Sequence, residues 1–182
     1  MSVTTNQPQT KSFLSQLGFK FSLARAPNIN YFVQSASLPS ITLNRVEVSN
    51  PFIKIPFAGD HLEFGEFTLT YKVDEDLRNY LEIYNWMIGI GFPDDFEQYK
   101  TIDSVRKGVN TGLSNPLSGL GVFSDATLTI LSSAMNPLHN VFFHDAFPTS
   151  IAELEFNSTD ADVTYITSTV TFAYRKFSIQ AV

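Results

Sequence analysis

Phe67, Leu69, Tyr71 and Val73 alternate with Thr68, Thr70 and Lys72 over seven consecutive positions. Successive side chains of an extended strand point to opposite faces, so this period of two predicts a half-buried β-strand with the aromatic and aliphatic residues inward. Such a strand is stable only within a sheet that hides one face, which commits the chain to a sheet-based fold. The same signal returns in Val163 to Ile179. There Ile166, Val170, Phe172 and Tyr174 share one parity, and Thr167, Thr169, Thr171 and Ala173 share the other.

Apolar material is abundant. Of the 182 residues only 16% are Asp, Glu, Lys or Arg, against about 25% in an average soluble domain, while 17 are Phe and 7 are Tyr. The length suits a single domain, expected over 13–182, and the apolar excess exceeds what one subunit of this size hides, so part of it is expected to meet other subunits. The net charge of −6 speaks against a protein that grips phosphates. With no cysteine, disulfides, thiol catalysis and Cys-ligated zinc are excluded. No long apolar run and no charged-then-apolar start occurs, so the expectation is a soluble protein made in the cytosol, without a membrane partner.

Residues 1–12 are polar and read as a flexible tail. Phe19 to Leu23 and Tyr31 to Ala36, around Pro27-Asn28-Ile29-Asn30, predict a hairpin. In the next strand, Ile41 to Val48, the apolar positions change parity between Leu43 and Val46, which predicts a bulge. Pro51, Pro56 and Gly59 predict that pairing is interrupted from Asn50 to Asp60. Asp74, Glu75 and Asp76 open a helix of about four turns, with Leu77, Leu81, Tyr84 and Ile88 as its apolar stripe and Gly89, Gly91 and Pro93 as its stop. A long loop is expected at about Pro93 to Ser124. Strands follow at Ala126 to Leu131, Val141 to Phe143 and Ile151 to Phe156, and then along Val163 to Ile179. The fold class is mainly β, a barrel or sandwich with one α-helix and one long loop.

No catalytic constellation emerges. His139 and His144, with Asp145, are five residues apart and so on opposite strand faces, which reads as two turn histidines and not a metal site. Asp160 and Asp162 lack the glycine and glutamate of a calcium loop and read as a turn. Helix capping accounts for Asp74 to Asp76, and Gly89 to Asp94 fails as a dinucleotide fingerprint because it follows a helix and lacks the third glycine. The sequon Asn157-Ser158-Thr159 has no secretory context. No nucleophile elbow or phosphate loop is present, so no cofactor and no enzymatic activity is expected.

Two features remain. Ile53, Ile55 and Phe57 alternate with Lys54 and Pro56; they either dock on a neighbouring subunit or fold onto the chain's own core. The small polar face of Thr167, Thr169 and Thr171 is either a channel lining or an ordinary solvent face. A carbohydrate-binding sandwich would need an aromatic cluster on one sheet face, whereas the aromatics fall mostly at core parity.

The order of elements resembles that of the tail-tube proteins of contractile phages, with their baseplate tube-initiating and type VI secretion relatives. Two stretches carry the resemblance: Ala36-Ser37-Leu38-Pro39 through Ile55-Pro56-Phe57-Ala58-Gly59-Asp60 to Phe67-Thr68-Leu69-Thr70, and Ala146-Phe147-Pro148-Thr149-Ser150-Ile151 through Leu154-Glu155-Phe156-Asn157 to Val170-Thr171-Phe172-Ala173-Tyr174. With the Trp86 helix they span nearly the whole chain. The resemblance implies hexameric rings stacked into an inner tube, tail sheath and baseplate proteins as partners, DNA passing through the lumen without specific binding, and a place in the virion after assembly in the host cytoplasm. A baseplate initiator ring, or the tube of an injection or secretion system, is the alternative. At −6 per subunit a ring of six would carry −36, which suits a lumen that repels DNA.

Overall fold

The computed structural model describes residues 13–91, 122–159 and 164–182. The tail before Phe13, the loop expected after Pro93 up to residue 121, and the turn around Asp160 and Asp162 lie outside the described residues.

Nine strands and one α-helix are present among the described residues: β1 Phe19–Leu23, β2 Val33–Ala36, β3 Ile41–Ser49, β4 Lys54–Phe64, β5 Phe67–Lys72, α1 Arg78–Gly91, β6 Ser124–Leu131, β7 Pro137–Ile151, β8 Thr167–Ala173 and β9 Lys176–Ala181. All pairings are antiparallel. Seven strands follow the order β1-β6-β7-β8-β5-β2, with β9 also on β7, while β3 and β4 form a separate two-stranded ribbon.

The expected hairpin between the first two strands does not form. The turn exists, as a 3-10 turn at Ile29–Tyr31, but β1 pairs with β6 and β2 with β5. Apolar parity identifies a strand and not its partner, and here the partners lie far away in sequence. Val141 to Phe143 and Ile151 to Phe156 are likewise not two strands: one strand, β7, runs from Pro137 and stops at Ile151. His139 and His144 sit on it and not in turns.

β7 is the spine of the fold. Its first half pairs with β6 and β9 and its second half with β8. Between them Asp145 has φ 56°, a left-handed conformation that Asp tolerates better than most residues. Its carboxylate meets Arg175 at 2.9 Å, its N–H donates to Asp125 Oδ1 at 3.3 Å, and Arg175 N–H donates to the His144 carbonyl at 3.0 Å. The predicted run to Ile179 breaks at the same corner into β8 and β9. The strands on either side of the bend enclose one aromatic core, in which Phe67 stacks on Phe143 at 4.5 Å and on Phe172 at 4.9 Å.

β5 matches its expected alternation, with Phe67, Leu69 and Tyr71 buried and Thr68 and Lys72 exposed. The helix forms, but it begins at Arg78, after the acidic residues expected to open it, and Leu77, expected in its apolar stripe, precedes it with φ 57°. Asp74 Oδ1 accepts the Asn79 N–H at 3.4 Å, as the capping argument requires. Its orientation is different, however: Asn79, Ile83, Trp86 and Gly89 are buried, and Leu77, Leu81 and Tyr84 are exposed. The helix carries two apolar stripes, and the inner one is that whose polar groups find partners. Asn79 Nδ2 donates to the Lys72 carbonyl at 2.8 Å and Trp86 Nε1 to the Val122 carbonyl at 2.8 Å.

Candidate assembly surfaces

The expected interruption from Asn50 to Asp60 is instead an arm. β4 runs through Pro56, which lies opposite Glu47. A proline is tolerated there because a two-stranded ribbon leaves one side of each strand without a ladder to complete. The predicted bulge is present, as a register shift between Leu43 and Arg45. Gly59 belongs to it: any Cβ at that position would collide with the backbone carbonyl of Asn44.

Beyond the bulge the arm is two-faced. Val46 lies opposite Phe57 and Val48 opposite Ile55, so these four share one face, and Ile53 has the parity of Ile55 and Phe57. The other face carries Arg45, Glu47 and Lys54, with Glu47 within 3.3 Å of Arg45 and 3.6 Å of Lys54. Ile53, Ile55 and Phe57 are 64%, 36% and 55% exposed, and Phe52 at the tip is 92% exposed. None belongs to the buried core cluster. The arm is rooted by Phe64, whose ring meets Phe177 at 5.4 Å and Tyr174 at 6.2 Å. A lone two-stranded ribbon is marginal in water, and the apolar face of this one is exposed to solvent in the subunit.

The second surface lies across the outward side of β2, β5, β8 and the end of β7. Along β8, Ser168, Val170 and Phe172 are buried, and Thr167, Thr169, Thr171 and Ala173 point the other way, as the alternation predicts. Pairing adds what the sequence did not reveal. Thr171 lies opposite Thr68 and Thr169 opposite Thr70, whose hydroxyls approach to 3.1 Å; Ser35 lies opposite Thr70, and Ser37 Oγ binds Thr68. The result is a hydroxyl wall. On β2, β5 and β8 the one charged residue is Lys72, and no carboxylate occurs there. The acidic charge of the chain therefore lies elsewhere. Behind the wall, Phe172 faces Trp86 at 6.1 Å, which puts α1 on the opposite side of the sheet.

The two sets of predicted residues do not converge: the apolar triad is on the arm and the threonines are on the wall. β2 closes one edge of the wall and the second half of β7 the other. Among the described residues neither pairs with a further strand outside the sheet.

Nothing in the titration pattern suggests chemistry. Burial pushes the Tyr71 and Tyr174 hydroxyls up to about 12, and burial also raises the Glu82 carboxyl, against the opposing effect of its bonds from Asn28. Among the described residues no group of three or more His, Asp or Glu is placed to hold a metal ion, and no helix is long and apolar enough to cross a membrane.

Comparison with solved structures finds the same fold at low identity. The anti-feeding prophage tube terminating cap aligns with TM-score 0.58 and 15% identity over 100% of both chains. An extracellular contractile injection system, in its PVC sheath-tube complex, aligns with TM-score 0.56 and 18% identity over 100% of both. The PVC sheath/tube terminator gives 0.58 and 15% over 94% of this chain and 99% of the other. No curated protein sequence matches. A family model described as phage tail tube protein matches residues 1–180. By that match the chain is a structural tube protein and not an enzyme, and it belongs to the phage tail tube protein family.

Proposed function

We propose that this protein forms six-membered rings that stack into the inner tube of a contractile tail, with the Thr167, Thr169 and Thr171 wall facing a lumen through which DNA passes. The observation that carries this reading is the union, on one sheet, of a hydroxyl face whose one charge on β2, β5 and β8 is Lys72 and two unpaired edges. Edge-to-edge pairing between copies continues the sheet sideways and, when the ring closes, removes the exposed edges. The core and α1 then form the outer layer, where tail sheath would sit, and baseplate proteins would meet one end of the stack. In this reading residues 13–182 act as one structural unit and 1–12 as a tail, in a virion component assembled in the host cytoplasm.

Thr169→Lys with Thr171→Lys tests the lumen assignment. Two cations per subunit place about twelve around a ring of six, and their attraction to phosphate opposes passage most strongly at low salt. The double variant is expected to assemble, because both side chains face water, and to eject DNA slowly or incompletely. Normal ejection would remove the threonines from the lumen; failure to assemble would place them in a subunit contact.

A second reading, a tube-initiating ring at the baseplate or the tube of an injection or secretion system, has support in the same fold occurring in the anti-feeding prophage baseplate and in the sheath-tube complex of an extracellular contractile injection system.

A further inference from the structure

β7 loses a neighbour in mid-strand. Up to Ala146 it has β6 on one side and, from His139 to His144, β9 on the other; from Phe147 to Ile151 only β8 remains among the described residues. Register alone would carry the ladder with β6 further. The pair Ser124–Ala146 is followed by Phe123 and Phe147, whose rings still meet edge-on at 5.7 Å. The ladder nevertheless stops at Ser124, where β6 begins.

Two anchors hold the chain away. The Val122 carbonyl accepts from Trp86 Nε1 at 2.8 Å, on the helix behind the wall. At Asp125 the register between the strands shifts, and its carboxylate accepts the Asp145 N–H at 3.3 Å. Asp145 is left-handed, φ 56°, the kind of local kink with which a bulge terminates pairing. Its ion pair with Arg175 is 2.9 Å long, but the Arg175 side chain is 59% exposed, and a pair so accessible to water adds little. The backbone turn and the Asp125 bond therefore decide where β6 departs.

The stretch left free presents a backbone donor. Ala152 N–H donates to the Thr169 carbonyl at 2.7 Å. Backbone groups alternate sides along an antiparallel strand, so Ile151 N–H points to the side that β6 has left. At the other edge of the wall Ser37 N–H donates to the Thr68 carbonyl at 3.0 Å, and Ala36 N–H points outward by the same alternation. We propose that the Asp125–Asp145 corner is an edge-opening device, which turns β6 off β7 at Ala146 and so keeps the last residues of β7 free to accept another strand. That a second copy supplies this strand rests on the ring reading; the corner adds what keeps the edge free.

Amide hydrogen exchange on dilute, unassembled protein reads the edge. Ile151 N–H is expected to exchange fast, like Ala36 N–H, and Ala152 N–H to be protected. Asp145→Gly, which adopts the left-handed backbone freely, is expected to keep this pattern and to assemble within about threefold of the usual concentration. Asp145→Val, whose branched side chain disfavours that backbone, is expected to slow exchange at Ile151 about tenfold or more, as the ladder runs on past Ser124, and to raise the assembly concentration by a similar factor. Asp145→Ala gives the same comparison at a smaller backbone penalty where the valine variant does not fold. A folded variant of either kind that only melts lower, with Ile151 N–H still in fast exchange, would overturn the device and leave the ring standing. Fast exchange at Ile151 within assembled, unmodified protein would instead overturn the ring reading at this edge.

Discussion

Ile55→Asp is expected to leave the subunit folded, with an unchanged melting temperature, and to abolish its assembly. Ile55 is on the arm, opposite Val48 and outside the buried core, so a carboxylate there faces water in the free subunit. In a covered arm the same carboxylate would be desolvated without a partner, which costs several kcal/mol per subunit. Since about 1.4 kcal/mol is a factor of ten, the concentration needed for assembly rises by roughly a hundredfold or more. Circular dichroism and sedimentation separate the two effects. A lowered melting temperature with assembly intact would mean that the arm packs on its own subunit.

Phe67→Ala is expected to do the reverse and damage the subunit itself. Phe67 is 1% exposed and stacks on both Phe143 and Phe172. Truncating it removes the ring that joins the two sides of the β7 bend and leaves a cavity, at about 3–5 kcal/mol. For a chain of this length that lowers the melting temperature by roughly 10 °C. The measurement is cleanest in the Ile55→Asp background, because assembly would otherwise add its own concentration-dependent stability. A shift below about 2 °C would show that the aromatic stack is not what holds the two sides together.

Local chemistry was legible in the sequence, and long-range pairing was not. The alternation in Phe67 to Val73 and along Thr167 to Ala173 is visible because each strand buries one face. The parity change between Leu43 and Val46 marks the bulge for the same reason, and Asp74 announces the helix start because capping is local. By contrast, the partner of β1 lies about a hundred residues away, and no periodicity encodes it. The bend in β7 depends on Asp145 meeting Arg175 thirty residues later. The helix was expected half a turn from its true orientation because two apolar stripes compete, and only the tertiary partners of Asn79 and Trp86 decide between them. Pro56 suggested a break and instead lies within a strand. Of the candidate surfaces, Ile53, Ile55 and Phe57 and the three threonines were readable from parity. Val46, Val48, Thr68 and Thr70 became visible only through pairing.

The most direct test of the account is cryo-electron microscopy of the purified protein. The predicted result is hollow rings or tubes in which Thr167, Thr169 and Thr171 line the lumen, α1 lies on the outside, and each arm is covered by another subunit. Particles with the threonine wall buried in a contact, or only 20.4 kDa monomers at high concentration, would contradict it.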